Sequence, residues 1–145
     1  LADLFILPKI TAFIMLWRFH HGREKKEKLI LMCTHGPEDP ERATIPFVMA
    51  TAAQASDVEV VLGFQANGVI LIREGIAQHV FASGFPPLKE LLDIYLETGG
   101  NLLVCGPCVK SRQIDPEKEF IKGVVVVNAA TFVKECAEAT NVLVY

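Results

Sequence analysis

Apolar positions in this chain recur with two different periods, and the alternation between them defines the elements. Leu29–Cys33 (LILMC) is a short continuous apolar run closed by His35-Gly36-Pro37, the pattern of a buried strand. Asp39-Pro40 supplies a helix cap and a first-turn proline. Ile45, Val48, Met49, Ala52 and Ala53 follow at helical spacing, with Pro46 either kinking the first turns or marking the true start near Thr44. Val58–Phe64 (VEVVLGF) is the second strand. Gln65 to Pro86 is mixed and contains glycines; it supports no firm assignment beyond a short helix or strand at Val69–Ile72. Leu88, Leu91, Leu92, Tyr95 and Leu96 define the clearest amphipathic helix, ended by Gly99-Gly100.

Asn101–Cys105 (NLLVC) predicts a third strand, Gly106 to Arg112 a short helix, and Gly123–Val127 a fourth strand. Asn128 caps a helix carrying Phe132, Val133, Cys136 and Ala137, and Asn141–Tyr145 closes the chain as a fifth strand. Strands alternating with helices through short loops specify a parallel sheet covered on both faces, an α/β three-layer sandwich.

The N-terminus follows another pattern. Leu1 to Trp17 is strongly apolar and is followed by the basic stretch RFHHGREKKEK. A spanning helix needs about 20 predominantly apolar residues, and here Asp3, Pro8, Lys9 and Thr11 interrupt the run. A secretory signal carries its positive charge before the apolar region, whereas this charge comes after it. The polar residues do not gather on one helical face, which argues against a membrane-surface anchor. Residues 1–27 are therefore read as an extension and 28–145 as the α/β domain. Residues 1–17 are taken as a packing or oligomer contact, with membrane contact as the alternative.

Composition narrows the function. Fourteen basic against seventeen acidic residues give a formal charge of -3, so no global positive field exists to hold a nucleic-acid backbone. The 51% hydrophobic content supports a real core. Four cysteines, Cys33, Cys105, Cys108 and Cys136, are too sparse for a disulfide scaffold and point to an intracellular, cytoplasmic chain with usable thiols. The sequence lacks G-x-x-x-x-G-K-[ST], a G-x-G-x-x-G after a strand, H-E-x-x-H and G-x-S-x-G. Those absences disfavour nucleotide hydrolases, dinucleotide oxidoreductases, zincins and serine hydrolases, and no cofactor is implied.

The candidate chemistry is in the thiols. In a parallel sheet, ligands collect at the carboxyl ends of strands, where Cys33 and Cys105 fall. Cys108 follows three residues after Cys105, at a helix start with Pro107 in its first turn. Helix-start amides, with Lys110 and Arg112 nearby, are expected to lower a thiol pKa. Cys136 sits on the apolar stripe of the last helix and reads as core. Cys33, His35, Cys105 and Cys108 could alternatively converge as a zinc-binding tetrad. The acids Glu38, Asp39 and Glu41 are expected to serve the helix start.

Cys105-Gly106-Pro107-Cys108 also spells the thioredoxin dithiol. Here, however, it follows three strands, Val104 replaces the usual tryptophan, and the only later proline, Pro116, opens a helix. The letters point to dithiol chemistry without the thioredoxin fold.

A wider resemblance is carried by Cys33-Thr34-His35-Gly36-Pro37-Glu38-Asp39-Pro40-Glu41-Arg42-Ala43-Thr44 and the following Pro46-Phe47…Ala50…Ala53. It continues through Val58–Leu62, Gly68-Val69, the segment Gly100…Cys105-x-x-Cys108…Arg112, and Gly123-Val124…Val127. Together these resemble the DsrE/DsrF-like family from about Lys28 to Tyr145. The resemblance implies a flavodoxin-like α/β fold, assembly as trimers or hexamers, and sulfur relay as a cysteine persulfide between donor and acceptor proteins. Cys105 falls at the family's sulfur-carrying position, with Cys108 as an additional, resolving thiol. Gln113 stands where a glycine commonly follows the arginine. The alternatives are a dithiol redox module using Cys105 and Cys108, and an oligomeric binding protein without catalytic activity. Surplus apolar side chains in residues 1–17 and in Val69–Phe85 argue for a contact surface between copies.

Overall fold

A computed structural model describes residues 27–145; the reading of residues 1–17 as a contact segment lies outside the described residues. The strands are β1 (Lys28–Cys33), β2 (Glu59–Phe64), β3 (Asn101–Cys105), β4 (Val124–Val127) and β5 (Asn141–Val144). The helices are α1 (Pro40–Ala55), α2 (Leu88–Glu97), α3 (Gly106–Ser111), α4 (Pro116–Glu119) and α5 (Ala129–Glu138). The five strands form one sheet in the order β4-β3-β2-β1-β5, and every pairing is parallel.

That order decides which face each helix covers. From β1 to β4 the chain steps in one direction, and the last connection returns to the far side of β1. With right-handed crossovers, α1 and α2 lie on one face and α5 on the other. The core divides accordingly. Leu31, Leu62, Phe64, Leu102 and Val104 pack with Phe47 of α1 and Leu88 and Tyr95 of α2. A smaller cluster joins Ile30, Met32, Val61 and Val127 to Phe132 of α5. Gly63 allows α5 to sit that close: a Cβ there would lie 2.8 Å from the Phe132 ring and 2.7 Å from Met32 Sδ.

Local chemistry sets the element ends. Asp39 caps α1 by accepting from the Arg42 N–H at 3.1 Å, with Pro40 in the first turn. Asn128 caps α5 by accepting from the Thr131 N–H at 2.9 Å. On α2, the buried Tyr95 ties strands together. Its hydroxyl accepts from the N–H of Asn101 (3.0 Å) and of Leu62 (3.3 Å) and donates to the Asn101 carbonyl at 2.9 Å. Burial pushes the Tyr95 phenol well above its ordinary range.

Three expectations change. Helix α1 starts at Pro40 and runs through Pro46, burying Ala43, Thr44, Pro46, Phe47, Ala50 and Ala53. Met49 and Ala52 are exposed, so the helix turns its small residues, not the Ile45–Met49 stripe, toward the sheet. The unassigned segment contains two 3₁₀ turns, Ala66–Ile70 and Ala77–His79. Its Val69, Leu71, Ile72 and Val80 are all buried in the domain's own core. Only Phe81 of that segment's large apolar side chains is strongly exposed, at 63%. The surplus apolar surface lies elsewhere: Val125, Val133, Val142 and Val144 are exposed along β4, α5 and β5.

Candidate thiol site

Strand parity separates the cysteines. Cys33 pairs with Phe64, and Phe64 pairs with Val104, so these three share the face covered by α1 and α2. Cys105 is one residue beyond Val104 and points to the α5 face, where it packs with Leu103 and Cys136 against the smaller cluster. Cys33 is 1% exposed, and burial alone drives its thiol far above the ordinary range. Cys33, His35, Cys105 and Cys108 therefore do not assemble as a metal tetrad. Among the described residues, no three His, Cys, Asp or Glu side chains gather to hold a metal ion. The Cys33 thiol, expected to support the site, is part of the core.

Cys105 and Cys108 do come together. Cys105 is the N-cap of α3, and the Cys108 N–H donates to its Sγ at 3.4 Å. Both are partly buried and neither is in a disulfide. The expected depression of the thiol pKa is overturned for Cys105. Burial raises it, and a hydrogen bond with the Cys108 thiol raises it further. The Cys108 N–H and the Arg112 charge pull it down without prevailing. Six residues of helix supply too little positive end to outweigh desolvation.

Arg112 closes the last turn of α3. It donates through Nη1 to the Cys108 carbonyl at 3.2 Å and through Nη2 to Asn67 Oδ1 at 2.7 Å. Lys110 is exposed and, among the described residues, has no ion-pair partner. Gln113, next in the chain, holds φ +55°. That left-handed conformation is the physical reason a glycine suits this position.

The first loop meets the same network from the other side. His35 Nε2 accepts from Arg42 Nη1 at 3.2 Å, and its Nδ1 lies 3.2 Å from Thr34 Oγ1, which donates to the Tyr145 carbonyl. Because Nε2 accepts and the Thr34 hydroxyl hydrogen goes to Tyr145, Nδ1 is the ring nitrogen that donates, to Thr34 Oγ1. His35 thus links α1, through Arg42, to Thr34 and the chain end beyond β5. Glu38 does not cap α1 as expected: its Oε1 accepts from the Gly36 N–H (2.9 Å) and from Asn67 Nδ2 (3.1 Å). Burial opposes the Glu38 charge, but these donors outweigh it and lower its pKa. The loop beyond β2 fits beneath because residue 68 is glycine; a Cβ there would lie 2.0 Å from the Cys33 carbonyl oxygen.

The model of the DsrE/DsrF-like family matches residues 27–145. The chain belongs to the DsrE/DsrF-like family. It is 28% identical over 117 residues to the uncharacterized protein MK0008 of Methanopyrus kandleri, covering 81% of this chain and 93% of that one. It is likewise 28% identical over 118 residues to the uncharacterized protein MJ0989 of Methanocaldococcus jannaschii, covering 81% and 99%. In fold it is similar to the ychN protein from E. coli, with a TM-score of 0.68 at 16% identity over 82% of this chain and 99% of that one. Within this DsrE/DsrF-like domain, the residue that sequence reasoning missed is Asn67. The Asn67-Gly68 pair reads as an ordinary turn, and only tertiary contact reveals its bond to Arg112.

Proposed function

We propose that this chain is a small sulfur-relay protein that carries sulfur as a persulfide on Cys105, with Cys108 as the resolving thiol. One observation carries the reading: a partly exposed thiol at the carboxyl end of β3 accepts from the backbone N–H of a second cysteine, Cys108, whose carbonyl is held by the Arg112 guanidinium. Membership in the DsrE/DsrF-like family supports a role related to sulfur relay. In loading, the Cys105 thiolate attacks the outer sulfur of a donor persulfide. The new S–S bond forms as the donor's breaks, and the donor leaves as its thiolate. Delivery passes the outer sulfur to an acceptor thiolate by the same exchange. In resolution, the Cys108 thiolate attacks Cys105 Sγ, sulfide leaves, and a Cys105–Cys108 disulfide remains until a dithiol reductant is oxidised in its place. The cytoplasm, where thiols stay reduced, suits this cycle.

The same thiol pair supports a second reading, a dithiol redox module with no sulfur cargo. Exposure to a low-molecular-weight persulfide separates the two by intact mass. Sulfur relay adds one sulfur atom, retained in Cys108→Ser and lost as sulfide from the native chain; the redox module loses two hydrogens and never gains sulfur. No change in mass under either condition would leave an oligomeric binding protein.

For assembly, we propose a closed trimer or a pair of trimers that covers the valines of the α5 face. Light scattering at micromolar concentration checks this, and a stable particle of 16.0 kDa would contradict it.

A further inference from the structure

Arg112 is a cation beside the dithiol, and its hydrogen-bond partners among the described residues are all neutral. It donates to the Cys108 carbonyl, to Ser111 Oγ (3.4 Å) and to Asn67 Oδ1 (2.7 Å). Among the described residues, no carboxylate lies within ion-pairing distance of it. The acid nearest in the network, Glu38, is bonded to the other end of the Asn67 side chain, at Nδ2 (3.1 Å). The backbone holds Asn67 there: Ala66 before it sits at φ +47°, Gly68 after it lies against the Cys33 carbonyl, and the Gly68 N–H donates to Thr34 O at 3.2 Å. A carboxamide suits both contacts at once, because it offers an acceptor to the guanidinium and a donor to the carboxylate.

We propose that Asn67 is a positioning residue for the thiol site: it anchors Arg112 beside Cys105 and Cys108 while holding the Glu38 carboxylate away from the guanidinium. An anchoring Asp or Glu would fix Arg112 equally well but neutralise it. A neutral anchor leaves the positive charge available to an anionic sulfur at Cys105. Only the identity of that anion, thiolate or outer persulfide sulfur, rests on the sulfur-relay reading. The titratable and charged groups acting on Cys105 are Cys108 and Arg112, and the arginine favours the thiolate against burial.

The test uses the full chain and needs no sulfur donor, so its failure is separate from a failure of persulfide loading. Iodoacetamide labelling of Cys105, read by peptide mass across pH, is compared in the native chain, Asn67→Ala, Asn67→Asp, Arg112→Ala and the Asn67→Ala/Arg112→Ala double variant. Labelling at pH 7 is expected to slow roughly two- to fivefold in Asn67→Ala and Asn67→Asp, with both profiles displaced to higher pH. The double variant should label no more slowly than Arg112→Ala alone, because Asn67 acts through that arginine. Asn67→Asp has nearly the native shape and carries the test if Asn67→Ala does not fold. An Asn67→Asp profile superimposable on the native one, or losses that multiply in the double variant, would overturn the proposal.

Discussion

The two faces of the sheet are built to different standards. On one, α1 and α2 cover β1 to β3 so fully that Leu31, Phe47, Phe64, Leu88, Tyr95 and Leu102 have no exposure at all. On the other, among the described residues, α5 alone contributes a buried anchor, Phe132, and Val125 (52%), Val133 (67%) and Val144 (67%) are exposed. Cys33 and Cys105 both end strands, yet one is sealed within the first face and the other is accessible on the second. The proposed chemistry is therefore assigned to the thiol on the thinly covered face, because an exchange reaction requires a second molecule to reach the sulfur. The well-covered face holds the fold steady beneath it.

Substitutions on the sealed face should show the largest effects. Phe47→Ala removes a fully buried ring between α1 and the sheet and should cost about 3–5 kcal/mol in urea unfolding. Val133→Ala on the open face should cost less than about 0.5 kcal/mol. Equal losses would break the contrast. Tyr95→Phe comes next. It leaves the buried Leu62 N–H and the part-buried N–H and carbonyl of Asn101 without the hydroxyl, and should destabilise by about 1–3 kcal/mol with little change in shape.

The open face is also held at its rim by Lys28, whose Nζ donates to Glu135 Oε2 at 2.6 Å. That bond raises the Lys28 pKa above 10.5, against the opposing effect of burial. A raised lysine contributes stability that is fully present below its unfolded value and is lost as pH rises through the folded one. The stability difference between the native chain and Lys28→Met should therefore be present at pH 8 and shrink above 10.5. A difference constant with pH would show that the pair contributes nothing through charge. The last expected effect is a small gain. Gln113→Gly releases a left-handed conformation and should stabilise by about 0.5 kcal/mol once the added freedom of glycine in the unfolded chain is deducted.

Much of the fold was legible because strands and caps are written locally. The apolar runs at Leu29, Val58 and Asn101, the Asp39 and Asn128 caps and the Leu88–Leu96 stripe all correspond to observed elements. The face of α1 was misread because Ile45, Val48 and Met49 outweigh alanines in hydropathy. Close approach of a helix to a sheet is served instead by Ala43, Ala50 and Ala53. The 65–86 segment has no sustained period to read, since 3₁₀ turns are short. At the site, the adjacency of Cys105 and Cys108 follows from spacing, whereas the separation of Cys33 from Cys105 depends on interstrand register. Nothing local marks Asn67, whose partners lie 29 and 45 residues away.

We propose that Cys105, the accessible thiol of the open face, carries the sulfur. Intact-mass measurement after exposure to a persulfide donor tests it in three chains held in the Cys108→Ser background, so that loaded sulfur is retained. The background chain and its Cys136→Ser derivative should each gain one sulfur atom, and the Cys105→Ser derivative none. Undiminished loading of the Cys105→Ser derivative would contradict the account.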